Sequence, residues 1–120
     1  MHIAVVEDDL DLCSALIGAL TLLGYRVTPF QSAVAAREGL VGAEPPDLAI
    51  CDVNLGGDED GFAVAAWMRT RWPALPVIFV SARQPREVPP NSRFLAKPFG
   101  LPALRDTIVA LTGRRTSRCA

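Results

Sequence analysis

Hydrophobic and polar positions along the chain fall into two alternating rhythms. Three runs, Ile3-Ala4-Val5-Val6, Leu48-Ala49-Ile50-Cys51 and Val77-Ile78-Phe79-Val80, are continuously apolar and end in polar residues. Each is too short for a helix, and an unbroken apolar run suits a parallel strand covered on both faces. After the first run, Leu12, Leu16, Ala19, Leu20 and Leu23 recur at three- and four-residue spacing up to Gly24, which predicts a helix with a glycine stop. Residues 26–30 alternate instead. Pro29 has no N–H for a ladder, which assigns this second strand to a sheet edge. Ser32 is placed to cap a short helix running to about Val41, and Pro45-Pro46 forces a loop before the third strand. Phe62, Ala65, Ala66 and Met68 mark a third helix to about Arg71. Phe94-Leu95-Ala96 reads as a short fifth strand, and residues 101–111 as a last helix with Pro102 in its first turn and Gly113 beyond its end.

Strand and helix alternate, so the expected class is α/β: a doubly wound, five-stranded parallel sheet with helices on both faces. One crossover breaks the rhythm. Positions 82 to 92 span 11 residues, with Pro85, Pro89 and Pro90 among them and Val88 the sole large aliphatic. A parallel crossover normally takes a dozen or more residues and a helix. Proline removes donors and disfavours helical geometry before it, so the fourth helix is expected to be shortened to a turn or absent. That loss should leave apolar surface beside the last helix, a docking or self-association site, unless the loop folds back over it.

Composition narrows the class. A chain of 120 residues has room for one core, read here as a domain over residues 1–113 and a basic tail over 114–120 that carries Arg114, Arg115 and Arg118. Hydrophobic residues make up 50% and charged ones 21%, which excludes the apolar-poor signature of disorder. A net charge of -1 provides no field for phosphate backbones, so no direct contact with nucleic acid is expected. Cys13, Cys51 and Cys119 lack the paired spacing of zinc or redox sites and fit a reducing cytoplasm. Met1 leads straight into a strand-like run without the pattern of a signal peptide, and no segment reaches the roughly 18 apolar residues of a membrane span. The expected location is cytoplasmic, with no membrane partner.

The chemistry lies at the strand ends: Glu7-Asp8-Asp9 after the first strand, Asp52 after the third, Ser81-Ala82 after the fourth and Lys97-Pro98 after the fifth. In a doubly wound sheet all four fall on the carboxyl edge, where ligands bind. Any one of them is an ordinary solvated loop. Together, converging carboxylates repel unless a cation sits among them, and hard oxygen ligands suit Mg²⁺. A lysine and a hydroxyl complete a set able to hold a phosphoryl group. Val5-Val6-Glu7-Asp8-Asp9, Asp52 with Gly61 downstream, Ser81-Ala82 and Lys97-Pro98-Phe99 resemble, in that order, the receiver domain of two-component response regulators, a flavodoxin-like fold, over nearly the whole chain.

The resemblance implies a phosphoacceptor at Asp52, direct Mg²⁺ ligation by Asp8 with Glu7 acting through water, and a backbone ligand from the Asn54 carbonyl. It further implies that Lys97 contacts the phosphoryl group, that Ser81 turns toward it, that Phe94 swings inward with it, and that the Lys97-Pro98 bond is cis. Asn54 and Arg83, two residues beyond the acceptor and the hydroxyl, are expected to tune the lifetime of the acyl phosphate. Its implied partners are a histidine kinase or histidine phosphotransfer protein, a downstream protein and, as one option, a second copy of the chain; turnover as an enzyme is not expected.

Two rivals are a haloacid dehalogenase-type aspartate phosphatase and a non-phosphorylated pseudo-receiver that only docks partners. The first needs a general-acid aspartate where Asn54 stands. The second has no physical need to keep repelling carboxylates together. Residues 52–63 also imitate a calcium loop, but Gly56 and Ala63 occupy positions that need oxygen ligands. Asp58-Glu59-Asp60 reads as a solvated loop with Asp60 in place to cap the third helix. Cys51, His2, Trp67 and Trp72 read as packing. The chain departs from the family pattern by one extra residue between Asp52 and Gly61 and by a Gly56-Gly57 pair where proline is frequent, which predicts a looser acceptor loop.

Overall fold

The continuous apolar runs become strands buried on both faces. The structure, a computed structural model, describes residues 1–57, 59–84 and 87–113. Strands β1 (His2–Val6), β3 (Leu48–Asp52) and β4 (Val77–Ser81) are the three runs, and every residue of β3 and β4 is buried. With β2 (Arg26–Phe30) and β5 (Ser92–Ala96) they form one parallel sheet in the order β2-β1-β3-β4-β5. Pro29 lies opposite Val5 on the edge strand β2, where a missing N–H costs no central ladder bond. The chain passes outward from β1 to β2 and then back across to β3. The crevice beyond the carboxyl ends of β1 and β3 is therefore the switch point where such sheets hold ligands.

Capping residues set the helix starts. The Asp9 carboxylate accepts the N–H groups of Asp11 and Leu12 at 3.0 and 3.1 Å and opens α1 (Leu10–Leu22). Ser32 Oγ caps α2 (Ala33–Leu40) through Ala35 N–H, and Asp60 Oδ1 caps α3 (Gly61–Arg71) through Ala63 N–H. The last helix, α4 (Leu101–Thr112), has Pro102 in its first turn and stops at Gly113, whose φ of 70° is left-handed. The period of two along each strand divides the core. Ile3, Val5, Ile50, Ile78 and Val80 face α1 and α4, meeting Leu16, Leu20, Leu104 and Ile108. Val6, Cys51 and Phe79 face α2 and α3, meeting Ala36, Leu40, Val64 and Met68.

No helix lies between β4 and β5 among the described residues, so five strands are matched by four helices. Arg69 of α3 takes over part of the missing element's task. Its Nε donates to Leu75 O at 3.0 Å, and its Nη2 donates to Asn91 O at 2.7 Å and Ser92 Oγ at 3.0 Å, which ties α3 to the start of β5. Asn91 answers by donating from Nδ2 to Ala74 O at 3.0 Å. Val88 packs onto the α2 and α3 cluster beside Phe62, whose ring lies 4.6 Å from that of Phe79. Val88 is thus the loop residue seen on this face among the described residues, and Ala82, Arg83, Gln84, Glu87, Pro89 and Pro90 stay exposed.

Arg69→Met keeps the aliphatic stem and removes the three hydrogen bonds. It should lower the unfolding free energy by about 1–3 kcal/mol in urea denaturation. A midpoint equal to that of the wild type would show that the clamp carries no load.

Candidate functional site

The strand ends bring the reactive groups together. Glu7 follows β1 and is 1% exposed, Asp52 ends β3 and is 4% exposed, and Asp8 is open to solvent. Each of the three places a carboxylate oxygen within 4.8 Å of the others. Lys97, the first residue after β5, extends the ladder by donating its backbone N–H to Ser81 O at 2.9 Å. Its Nζ lies 3.1 Å from both Glu7 Oε2 and Asp52 Oδ2. The next peptide bond, Lys97-Pro98, is cis.

The loop after β3 wraps the acceptor. Asn54 N–H donates to Asp52 Oδ1 at 3.0 Å, and Gly56 N–H donates to Asp8 Oδ2 at 3.0 Å. Gly61 explains itself by contact: a Cβ there would stand 2.1 Å from the Asp52 carbonyl oxygen, so α3 can begin this close only on a bare backbone. Ser81, buried at the end of β4, accepts at Oγ from Arg83 N–H at 3.2 Å and from Asn54 Nδ2 at 3.4 Å. Arg83 itself is exposed and joins the site through its main chain. Phe94 pairs in register with Phe79 and is half-buried, two residues before Ala96, which faces Ser81.

A family profile described as "Response regulator receiver domain" matches residues 3–109. The chain belongs to this family. Among its relatives, the swarming motility regulation protein RssB of Serratia marcescens is 35% identical over 120 residues, 95% of this chain and 54% of that protein. The response regulator receiver protein CpdR of Brucella abortus is 32% identical over 113 residues, 89% of this chain and 92% of its own length. A response regulator receiver protein from Sinorhizobium medicae superposes with a TM-score of 0.86 at 26% identity, covering 96% of each chain. The receiver domain thus spans about half the length of one curated relative and nearly all of another.

Electrostatics of this receiver domain are governed by its crowding. Burial first, and then the neighbouring Asp52 carboxylate, push the Glu7 pKa up to about 7, although the Asp9 N–H and Lys97 pull the other way. Burial lowers the Lys97 pKa, but hydrogen bonds and charge from Asp52 and Glu7 outweigh it, and the net shift is upward. Lys97 therefore stays cationic while the carboxylates beside it remain under-neutralised. All-oxygen donors short of positive charge are what a hard divalent cation fits.

Residues read as packing stay out of this chemistry. Cys51 is fully buried, and burial raises its thiol to about 12. His2 lies at the far end of β1, its N–H on Asp47 Oδ2 at 2.7 Å and its Nε2 2.6 Å from Thr28 Oγ1. Trp67 and Trp72 pack against the α2 and α3 cluster, with the guanidinium groups of Arg37 and Arg71 over their rings. Glu59 pairs with Arg37. Asp58, Pro85, Cys119 and the arginines of residues 114–120 lie outside the described residues. Two features escaped the sequence: Asp9 caps α1, and the Gly56 amide bonds Asp8. A carboxylate directly before the apolar repeat signals the first; nothing in residue type signals the second.

The raised Glu7 pKa fixes the sign of a pH effect. Between an ordinary glutamate pKa and about 7 the folded chain binds more protons than the unfolded one, so metal-free stability should fall as pH rises through that window. Glu7→Gln should flatten this slope in denaturation series at several pH values. A slope unchanged by that substitution would place the cause elsewhere.

Proposed function

We propose that this receiver domain accepts a phosphoryl group on Asp52 from a histidine kinase or histidine phosphotransfer protein, with Mg²⁺, and signals by changed affinity for a protein partner. The observation that carries the proposal is Lys97 Nζ at 3.1 Å from both Asp52 and Glu7, with Asp8 in reach of both carboxylates. Asp52 Oδ attacks phosphorus in line, the bond from phosphorus to the imidazole nitrogen breaks, and an acyl phosphate forms. Glu7, Asp8, Asp52 and the Asn54 carbonyl would hold the cation, which when bound neutralises charge on the transferring oxygens. Lys97 leaves its ion pair with Glu7 to contact the phosphoryl group. Ser81 turns its hydroxyl toward the new charge and Phe94 moves inward, shifting a two-state equilibrium at the surface made by β4, β5 and α4.

The reading is that of a switch, not a turnover enzyme, since Asn54 cannot serve as the general acid of an aspartate phosphatase. A unit of residues 1–113 with a basic tail fits the capped end of α4 at Gly113. A cytoplasmic setting fits the free, buried Cys13 and Cys51, and no helix among the described residues is long and apolar enough to cross a membrane. The downstream partner is a protein or a second copy of the chain, without direct nucleic-acid contact.

Acetyl phosphate with Mg²⁺ should add one phosphoryl mass to the wild type and none to Asp52→Asn; mass gained by that variant sinks the assignment. Substitutions at Asn54 and Arg83 should shift the lifetime of the acyl phosphate, measured as dephosphorylation rate. Rates within error of the wild type at both positions would remove them from the path of attacking water.

A further inference from the structure

Asp8 differs from its two partners in having no burial to orient it. Glu7 and Asp52 are packed in place, whereas Asp8 is exposed on the loop after β1. Repulsion from those neighbours favours a rotamer that turns its carboxylate out to water. A main-chain group opposes this: Gly56 N–H, on the loop after β3, donates to Asp8 Oδ2 at 3.0 Å across 48 positions of sequence. The approach is close. A Cβ on Gly56 would stand 3.3 Å from the same oxygen, and Gly57 follows with a φ of 117°.

We infer that the Gly56 amide is the positioning donor for Asp8, holding one carboxylate oxygen so that the other is presented to a divalent cation, and that cation binding and this hydrogen bond are thermodynamically linked. The inference rests on the acceptor reading above. It adds that the main-chain N–H at position 56 is a functional donor of this chain. Donors behind a ligating carboxylate fix its orientation, and their loss typically costs 10–100-fold in metal affinity. Linkage makes the effect mutual: whatever the donor adds to cation affinity, the cation adds to the hydrogen bond. The loop residues nearest the acceptor would then be ordered by the metal before any phosphoryl group arrives.

Mg²⁺ titrated into the metal-free 120-residue chain, followed by calorimetry and by the amide spectrum, tests this. Gly56→Pro deletes the donor and should weaken binding on the order of ten-fold. Gly56→Ala keeps the N–H and should recover most of that loss. In an Asp8→Ala background the two variants should bind alike. In the wild type the Gly56 amide proton should exchange more slowly once Mg²⁺ is added, a readout that needs no variant to fold. Equal affinities for Gly56→Pro and Gly56→Ala, a gap that persists without Asp8, or a Gly56 amide whose exchange ignores Mg²⁺ overturns the inference. Phosphorylation of Asp52→Asn is the separate result that would overturn the acceptor reading.

Discussion

Glu7, Asp8 and Asp52 are held where their charges oppose one another, and the rest of the structure can be understood from how it tolerates this. Two unit charges about 5 Å apart repel by roughly 3 kcal/mol at an effective dielectric of about 20, with less for the exposed Asp8. Lys97 answers two of the three at 3.1 Å, and Glu7 answers by holding its proton more tightly. Neither device removes the strain. The site keeps an unmet demand for positive charge at the one place where a doubly wound sheet leaves an open crevice. A fold built only for stability would fill such a crevice with apolar side chains. Here the sheet supplies rigidity instead, since both strands that carry the buried carboxylates are packed on each face.

That rigidity survives the loss of an element that parallel crossovers usually need. The chain between β4 and β5 is too short and too rich in proline for a helix, and the face it leaves is held by an arginine. Arg69 reaches backbone carbonyls on two connections and the Ser92 hydroxyl. A polar clamp of this kind is shorter than a packed helix and lies at the amino ends of the strands, away from the carboxylates. The consequence is an asymmetry. The amino end of β5 is fastened and Leu95 is buried against α4, whereas Phe94 between them stays half-buried and Ala96 is exposed.

Periodicity carried most of the fold. Among the described residues the five strands and four helices stand within a residue or two of the pattern, because continuous apolar runs, glycine stops and side-chain caps each have a local cause. The convergence of Glu7, Asp8, Asp52, Ser81 and Lys97 was legible for the same reason: topology alone places the residues after parallel strands on one edge. The features that were not legible rest on main-chain geometry. The Gly56 amide, the contact that forbids a Cβ at Gly61 and the carbonyls gripped by Arg69 involve groups that every residue carries. Residue type cannot announce them. Asp9 was grouped with the acidic cluster by adjacency, yet its carboxylate turns to the α1 amides, where a helix N-terminus favours negative charge.

Two glycines in a loop lengthened by one residue suggest slack. In the structure the loop is tied at intervals: Asn54 N–H on Asp52, Gly56 N–H on Asp8, and Gly61 N–H on Val53 O at 2.9 Å. The Glu59 and Arg37 pair adds a fourth tie, to α2. Gly57 has a φ of 117°, a backbone conformation that other residues would resist. Two of these ties end on the carboxylates that would hold a cation. The loop is therefore fastened to the charges themselves, through main-chain donors on Asp52 and Asp8.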